Sequence, residues 1–206
     1  MERPRNSSKI GTSKTLIYDT VFPTVLARQS RKDLVEPLKQ IVQDQKPEDW
    51  VDLSTSSVHV LNDYKSIKKE FEKEVNIFLQ EIMQFQCNSR ITTSWITKTN
   101  SDSALYTHDH KNSWYSGCFY LQDNSKIKFF NRHLGQIWVK PKLDHELFSQ
   151  GCVYTLEEGT LIMFPSEIPH TVIPNYNSQE TRYSLAFNVM PVGEVGEEDS
   201  TYVYGG

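Results

Sequence analysis

The chain has few cysteines, no long apolar run and no excess of positive charge, and each lack removes a class of function. Its three cysteines, Cys87, Cys118 and Cys152, are odd in number, far apart and form no CxxC pair. Neither a disulfide framework nor a structural zinc site is favoured, and reduced thiols are expected. The longest apolar runs, such as LIMF at 161–164, fall far short of the roughly 20 residues that cross a bilayer. The opening MERPRNSSKIGTSKT carries no apolar segment of the secretory kind, so the cytoplasm is the expected location, the host cytoplasm if the chain is viral. A net charge of −4 provides no broad basic field, which argues against nucleic acid or an anionic membrane as partner.

At 206 residues, one domain with trimmings is expected. Residues 1–14, with Arg3, Arg5, Lys9 and Lys14 among small polar residues, form a flexible leader; 15–192 form the domain; 193–206, acidic and Gly-rich, form a poorly ordered tail in which Tyr202-Val203-Tyr204 could dock on a neighbour. Leu34, Val35, Leu38, Ile41 and Val42 recur at helical spacing, with Ser30 and Asp33 placed as a capping box and Pro37 as either a kink or the first turn. A second stripe, Tyr64, Ile67, Phe71, Val75, Phe78, Ile82 and Phe85, follows an Asn62-Asp63 cap signal and is wide enough to lie on a sheet. After Cys87 the period changes. Strands are predicted near 90–98, 103–110, 115–122, 126–131, 135–140, 152–156, 159–165, 170–174 and 181–191. Many short strands after two helices predict a mainly β fold, a jelly roll braced by helices on one face.

Three stretches carry chemistry. In THDHKNSWYSGCFYL (107–121), a regular strand sends His108 and His110 to one side and Asp109 to the other, whereas a bulge at Thr107 or His108 would swap them. A pair at i and i+2 can chelate one ion, although an isolated HxH is a weak signal. In GTLIMFPSEIPHTVIPN (159–175), an apolar strand leads through a tight connection to His170, a third imidazole at a strand mouth. In TRYSLAFNV (181–189), Arg182, Ser184, Ala186 and Asn188 share one face, and Tyr183, Leu185, Phe187 and Val189 share the core face. An inward arginine is costly unless it meets an anion, and its rigid fork suits a carboxylate; the alternative is an internal ion pair with Glu or Asp. Ser116, Cys118 and Tyr120 would line the same cavity, with the Tyr120 hydroxyl available to that carboxylate. Trp114, Tyr115, Phe129, Phe130 and Trp138 read either as a site entrance or as core, and His59, His133 and His145 as surface or structural residues.

The ordered set His108, His110, His170 and Arg182 resembles the 2-oxoglutarate- and Fe(II)-dependent dioxygenase superfamily. More narrowly, SWIT at 94–97, then HDHKNSWYSGCFYL, FPSEIPH and RYSLAFN resemble the 2OG-Fe(II) oxygenases of marine phages and bacteria, over roughly residues 15 to 192. The resemblance implies a double-stranded β-helix, cupin-like in form. It implies Fe(II) held by His108, His110 and His170, with open positions for a 2-oxoacid and dioxygen. Arg182, helped by Ser184 and Tyr120, would bind the distal carboxylate of 2-oxoglutarate, with Asn112 and Asn188 tuning ligands from behind. No catalytic side chain beyond the metal centre is implied. Oxidative decarboxylation of 2-oxoglutarate to succinate would be coupled to oxidation, by hydroxylation, of an unidentified prime substrate. Most of the superfamily has His-x-Asp where this chain has His-x-His around Asp109, so Asp109 stands as the alternative to His110. Two other readings stay open. One is a metal-binding cupin that does not use 2-oxoglutarate: Gly159, Pro165 and His170 fit its spacing, but Glu167 and Pro174 do not. The other is a non-catalytic jelly-roll binding or virion protein.

Overall fold

A computed structural model describes residues 23–100, 103, 106–132, 149–174 and 180–204, together with the backbone of 7–8 and 18–19. Thirteen strands and two α-helices are described: β1 (Ser7–Ser8), β2 (Tyr18–Asp19), β3 (Ala27–Ser30), α1 (Val35–Asp44), β4 (Trp50–Val51), β5 (Ser54–Thr55), α2 (Lys65–Ile77), β6 (Asn88–Thr99), β7 (Tyr115–Tyr120), β8 (Ser125–Phe130), β9 (Gly151–Leu156), β10 (Thr160–Pro165), β11 (His170–Ile173), β12 (Arg182–Val195) and β13 (Tyr202–Tyr204). Among the described residues β1 pairs only with β2. The larger sheet runs β3-β10-β7-β12-β6-β5-β4, with β13 paired to β12, and the smaller runs β11-β8-β9. Their ladders are antiparallel.

Burial along the strands shows how the layers stack. All six residues of β7 are buried, as a strand covered on both faces requires. β8 alternates between buried and half-buried, as a strand covered on one face does. One face of the larger sheet packs against the helices through Phe71, Phe119 and Phe187, whose rings lie 5.3 to 5.6 Å apart about Phe71. The other face closes on the smaller sheet around Tyr120, Ile127, Phe129, Ile162 and Phe164. This is the double-stranded β-helix.

The helices start differently from the expectation. Ser30 lies in β3 and caps nothing; Asp33 is held instead by Arg31, whose Nη2 donates to it at 2.7 Å. Pro37 sits in the first turn of α1, where its missing N–H leaves no gap. Tyr64, not Asn62 or Asp63, precedes α2, and Asn62 accepts from Lys68 Nζ at 2.8 Å. The α2 stripe breaks at its end. After Phe78 the chain makes a π-helical turn to Ile82, whose extra residue rotates the face. Leu79 is fully buried there and Ile82 is 64% exposed.

The strands predicted from 90–98 and 115–122 onward fall close to β6, β7, β8, β9, β10, β11 and β12. The strand expected at 135–140 and His133, His145 and Trp138 lie outside the described residues, as does most of the leader. The segment from 193, expected to be poorly ordered, continues β12 to Val195 and turns back as β13, with Gly193 paired to Tyr204. Gly196 supplies the positive φ of +91° in that reversal, and the Tyr-Val-Tyr run supplies a strand former.

Candidate metal centre

β10 ends at Pro165, and a turn in which Ile168 N–H donates to the Pro165 carbonyl at 3.1 Å delivers His170 to the start of β11. His170 exchanges both backbone hydrogen bonds with His108, at 2.9 and 3.0 Å, in an isolated antiparallel bridge. The amide of His110 donates to the Ser166 carbonyl at 2.9 Å. The strand expected over 103–110 is therefore reduced, among its described residues, to a segment fastened at 108 and 110. Two fastened residues, two apart, still point their side chains the same way. The His108 and His110 rings are 5.1 Å apart, while Asp109 turns to Lys111, whose Nζ donates to it at 2.8 Å. That pairing holds the Asp109 carboxyl below its ordinary range.

His108, His110 and His170 each offer one ligand atom, all within 4.8 Å of one another. A carbonyl only accepts, so Nδ1 of His108 donates to the Tyr106 carbonyl and Nδ1 of His170 to the Ile168 carbonyl, both at 2.8 Å. These bonds fix the tautomer and leave Nε2 of each ring with its lone pair free, the arrangement in which imidazole ligands are held. Nε2 of His110 lies 3.3 Å from Nε2 of His170, so the two rings bring their nitrogens to one point. Burial pushes His110 and His170 down to about 4, reinforced at His110 by its two imidazole neighbours. Both are neutral at pH 7. Three converging imidazoles fit a divalent transition metal.

The centre opens into a cleft whose wall includes Trp95, Ser116, Tyr120, Phe164 and Ser184. The Trp95 ring lies 5.5 Å from that of His110. Tyr120 is buried, and its hydroxyl is without a hydrogen-bond partner among the described residues. Burial and the nearby Cys118 thiol raise it, so it is a protonated donor with only the weakly accepting Cys118 sulfur beside it. Cys118 is itself pushed up by burial to about 11, a thiol rather than a thiolate. Arg182 is 5% exposed and faces no carboxylate within ion-pairing distance among the described residues. It does not itself line the cleft; two of its N–H groups donate to the carbonyls of Asn124 and Ile173, each at 3.2 Å, and the Tyr120 hydroxyl is near enough to feel its charge. Ser184 is the register partner of Tyr120 across β12 and β7.

Other expected residues are placed elsewhere. Trp114 and Tyr115 pack on Phe85, with ring centroids at 4.9 and 6.4 Å, and Phe129 packs on Phe164 at 4.9 Å. These are core contacts and not an entrance. Phe130 lies under Lys128 on the outer side of β8, and His59 forms an isolated bridge to Ser94. Asn112 occupies an exposed turn at φ +54°, and Asn188 bonds to Ser116 and Thr93. Trp95 was present in the SWIT motif, but its place on the cleft wall was not assigned from the sequence. Ser113 and Ser166, whose hydroxyls join that of Ser116, carry no signal in the sequence, because serines in loops have no periodicity.

Residues 93–188 match the family described as "Putative 2OG-Fe(II) oxygenase". No curated protein matches the chain. Among solved structures, HygX from Streptomyces hygroscopicus with iron bound is 10% identical, with 82% of each chain covered and a TM-score of 0.58. The alpha-ketoglutarate-dependent epimerase SnoN from nogalamycin biosynthesis is 10% identical over 81% of this chain and 78% of its own, with a TM-score of 0.58. An oxidoreductase of the 2OG-Fe(II) oxygenase family from Burkholderia pseudomallei is 14% identical over 61% of this chain, which spans 56% of that protein, at a TM-score of 0.46.

Proposed function

We infer that this chain is a 2OG-Fe(II) oxygenase, an oxidoreductase that takes Fe(II) as cofactor and 2-oxoglutarate and dioxygen as cosubstrates, as the match over residues 93–188 indicates. The observation that carries the reading is the pairing of three converging imidazoles with a buried arginine and an orphaned buried hydroxyl on one side of one fold. His108, His110 and His170 are assigned as the metal ligands, with Asp109 outside the set because it is engaged by Lys111. Arg182 is assigned to the distal carboxylate. Guanidinium carries five N–H donors, of which two serve carbonyls here, so the fork keeps capacity for an anion. Tyr120 donates its unpaired hydroxyl to the same carboxylate, and Ser184 adds a second donor.

Bound together, iron and 2-oxoglutarate would activate dioxygen, one oxygen atom passing into succinate as 2-oxoglutarate loses carbon dioxide and the other serving to oxidise a prime substrate. The chain's own residues hold and shield. Backbone carbonyls of Tyr106 and Ile168 keep two imidazoles turned to the metal, burial keeps His110 and His170 neutral, and Phe164 and Ile127 keep one wall of the cleft dry. A structure of similar fold, HygX, has been solved with nickel, 2-oxoglutarate and hygromycin B bound. For this chain the catalytic unit is assigned to 15–192, hydroxylation is the reaction proposed, and a cytoplasmic small molecule or side chain rather than nucleic acid is the substrate favoured by a net charge of −4. Among the described residues no helix is long and apolar enough to cross a membrane.

The test is turnover. Supplied with Fe(II), ascorbate and 2-oxoglutarate in air, the full chain should form succinate slowly without a prime substrate. Arg182→Leu should bind iron normally and 2-oxoglutarate about a hundredfold more weakly, the worth of roughly 3 kcal/mol of charge-assisted hydrogen bonding. Iron binding with no response to 2-oxoglutarate would favour the cupin reading, and no metal binding the non-catalytic one.

A further inference from the structure

Beside the ligand turn runs a string of buried and half-buried hydroxyls that the metal and cosubstrate assignments leave unexplained. Ser166 is fully buried, and its Oγ stands 2.8 Å from Ser113 Oγ and 2.7 Å from Ser116 Oγ. Ser116 Oγ is 2.9 Å from one terminal atom of the Asn188 carboxamide, whose other terminal atom is 3.0 Å from Thr93 Oγ1. At the far end the Ser113 hydroxyl donates to the Tyr115 carbonyl at 3.0 Å.

Ser116 donates to Asn188 Oδ1, and Asn188 Nδ2 donates to Thr93 Oγ1. Ser166 donates to Ser113, and either hydroxyl of the 2.7 Å Ser116–Ser166 contact can turn its hydrogen to the other. Such a connected network is self-reinforcing in a low-dielectric setting.

The main chain of the same turn orients the ligands. The Ser166 carbonyl accepts from the His110 amide at 2.9 Å, the Ser166 amide donates to the Trp114 carbonyl at 3.1 Å, and two residues on the Ile168 carbonyl holds Nδ1 of His170 at 2.8 Å. The turn between β10 and β11 thus sets two of the three imidazoles, and the Ser166 hydroxyl adds a side-chain tie from that turn to Ser113 and, through Ser116, to β7. We propose that Ser166 is a positioning residue of the metal centre, its hydroxyl locking, through Ser113 and Ser116, the turn that aims His110 and His170. The inference rests on the metal assignment of the three histidines.

The experiment is an anaerobic Fe(II) titration of the full chain, followed by the charge-transfer absorption that 2-oxoglutarate induces. Ser166→Ala should weaken iron binding about ten- to a hundredfold, the usual consequence of losing an outer support of a ligand, and shift the absorption band. Ser94→Ala is the control. Ser94 is buried and accepts from the Leu61 amide at 2.9 Å on the helix side of the sheet, so its loss should lower the apoprotein's Tm yet leave iron affinity and the band as in the wild type. If Ser166→Ala does not fold, Ser113→Ala, which removes the acceptor of the Ser166 hydroxyl, should show the same band shift. Wild-type affinity and band in Ser166→Ala, or in Ser113→Ala where that variant replaces it, would overturn the inference alone, as would equal weakening in Ser94→Ala. A wild-type chain that binds no Fe(II) would overturn the function reading and the inference with it.

Discussion

At the scale of residues, the site depends on which side chains are left wanting a partner. Asp109 has one in Lys111, and His110 does not point that way. His110→Ala should therefore abolish iron binding and Asp109→Asn preserve it, measured as iron stoichiometry of the reconstituted chain; the reverse would make this a His-x-carboxylate centre. Tyr120 gives the sharper case, because its hydroxyl is buried without a partner. Tyr120→Phe removes an unsatisfied donor and should stabilise the apoprotein by about 1 kcal/mol, a rise in Tm of roughly 2–4 °C by calorimetry. The same change should weaken 2-oxoglutarate binding about tenfold, the worth of one hydrogen bond to a charged group. Opposite signs for stability and affinity mark a residue kept for its ligand. The candidate ligands were legible in the sequence because HxH, FPSEIPH and RYSLAFN each carry their residues on a strand or at its mouth, where alternation fixes the side that they face. The hydroxyl chain was not, since Ser113 and Ser166 meet across 53 positions of sequence through two irregular turns.

At the scale of elements, the sequence pattern holds wherever the period holds. β7, β8, β10 and β12 alternate or fill as their neighbours demand, and their predicted limits lie close to those observed. The pattern fails where the backbone changes its period. A stripe drawn at uniform helical spacing puts Ile82 in the core, but the π-helical turn from Phe78 to Ile82 carries Leu79 inward in its place. Leu79→Ala should cost about 2–5 kcal/mol, as for other fully buried leucines, whereas Ile82→Ala should cost under about 0.5 kcal/mol, as at exposed positions. Urea unfolding of the two variants checks the pair. Cap signals failed for a related reason. Asp33 and Asn62 had stronger partners than a helix end, in the Arg31 guanidinium and the Lys68 ammonium. Arg31 also reaches Glu70 and Glu74 on α2, at 2.9 and 2.7 Å, so this corner of the fold is tied by charge and not by caps.

At the scale of the whole molecule, two sheets and two helices divide the work. The helix side of the larger sheet holds the main apolar core, built on Phe71, Phe119 and Phe187. The inner side is left with the polar minority, the histidines, Ser116, Tyr120, Ser184 and the buried Arg182. Polar groups on a closed inner face are costly in the absence of ligand, so the apoprotein should gain stability on binding both iron and 2-oxoglutarate. The measurement that tests the central claim most directly is an anaerobic spectroscopic titration of the full chain with Fe(II) and then 2-oxoglutarate. One iron per chain is expected, with a charge-transfer band that grows to one equivalent of 2-oxoglutarate, absent without either component and requiring about a hundredfold more 2-oxoglutarate in Arg182→Leu. A chain that binds iron yet shows no band at any concentration of 2-oxoglutarate would contradict it.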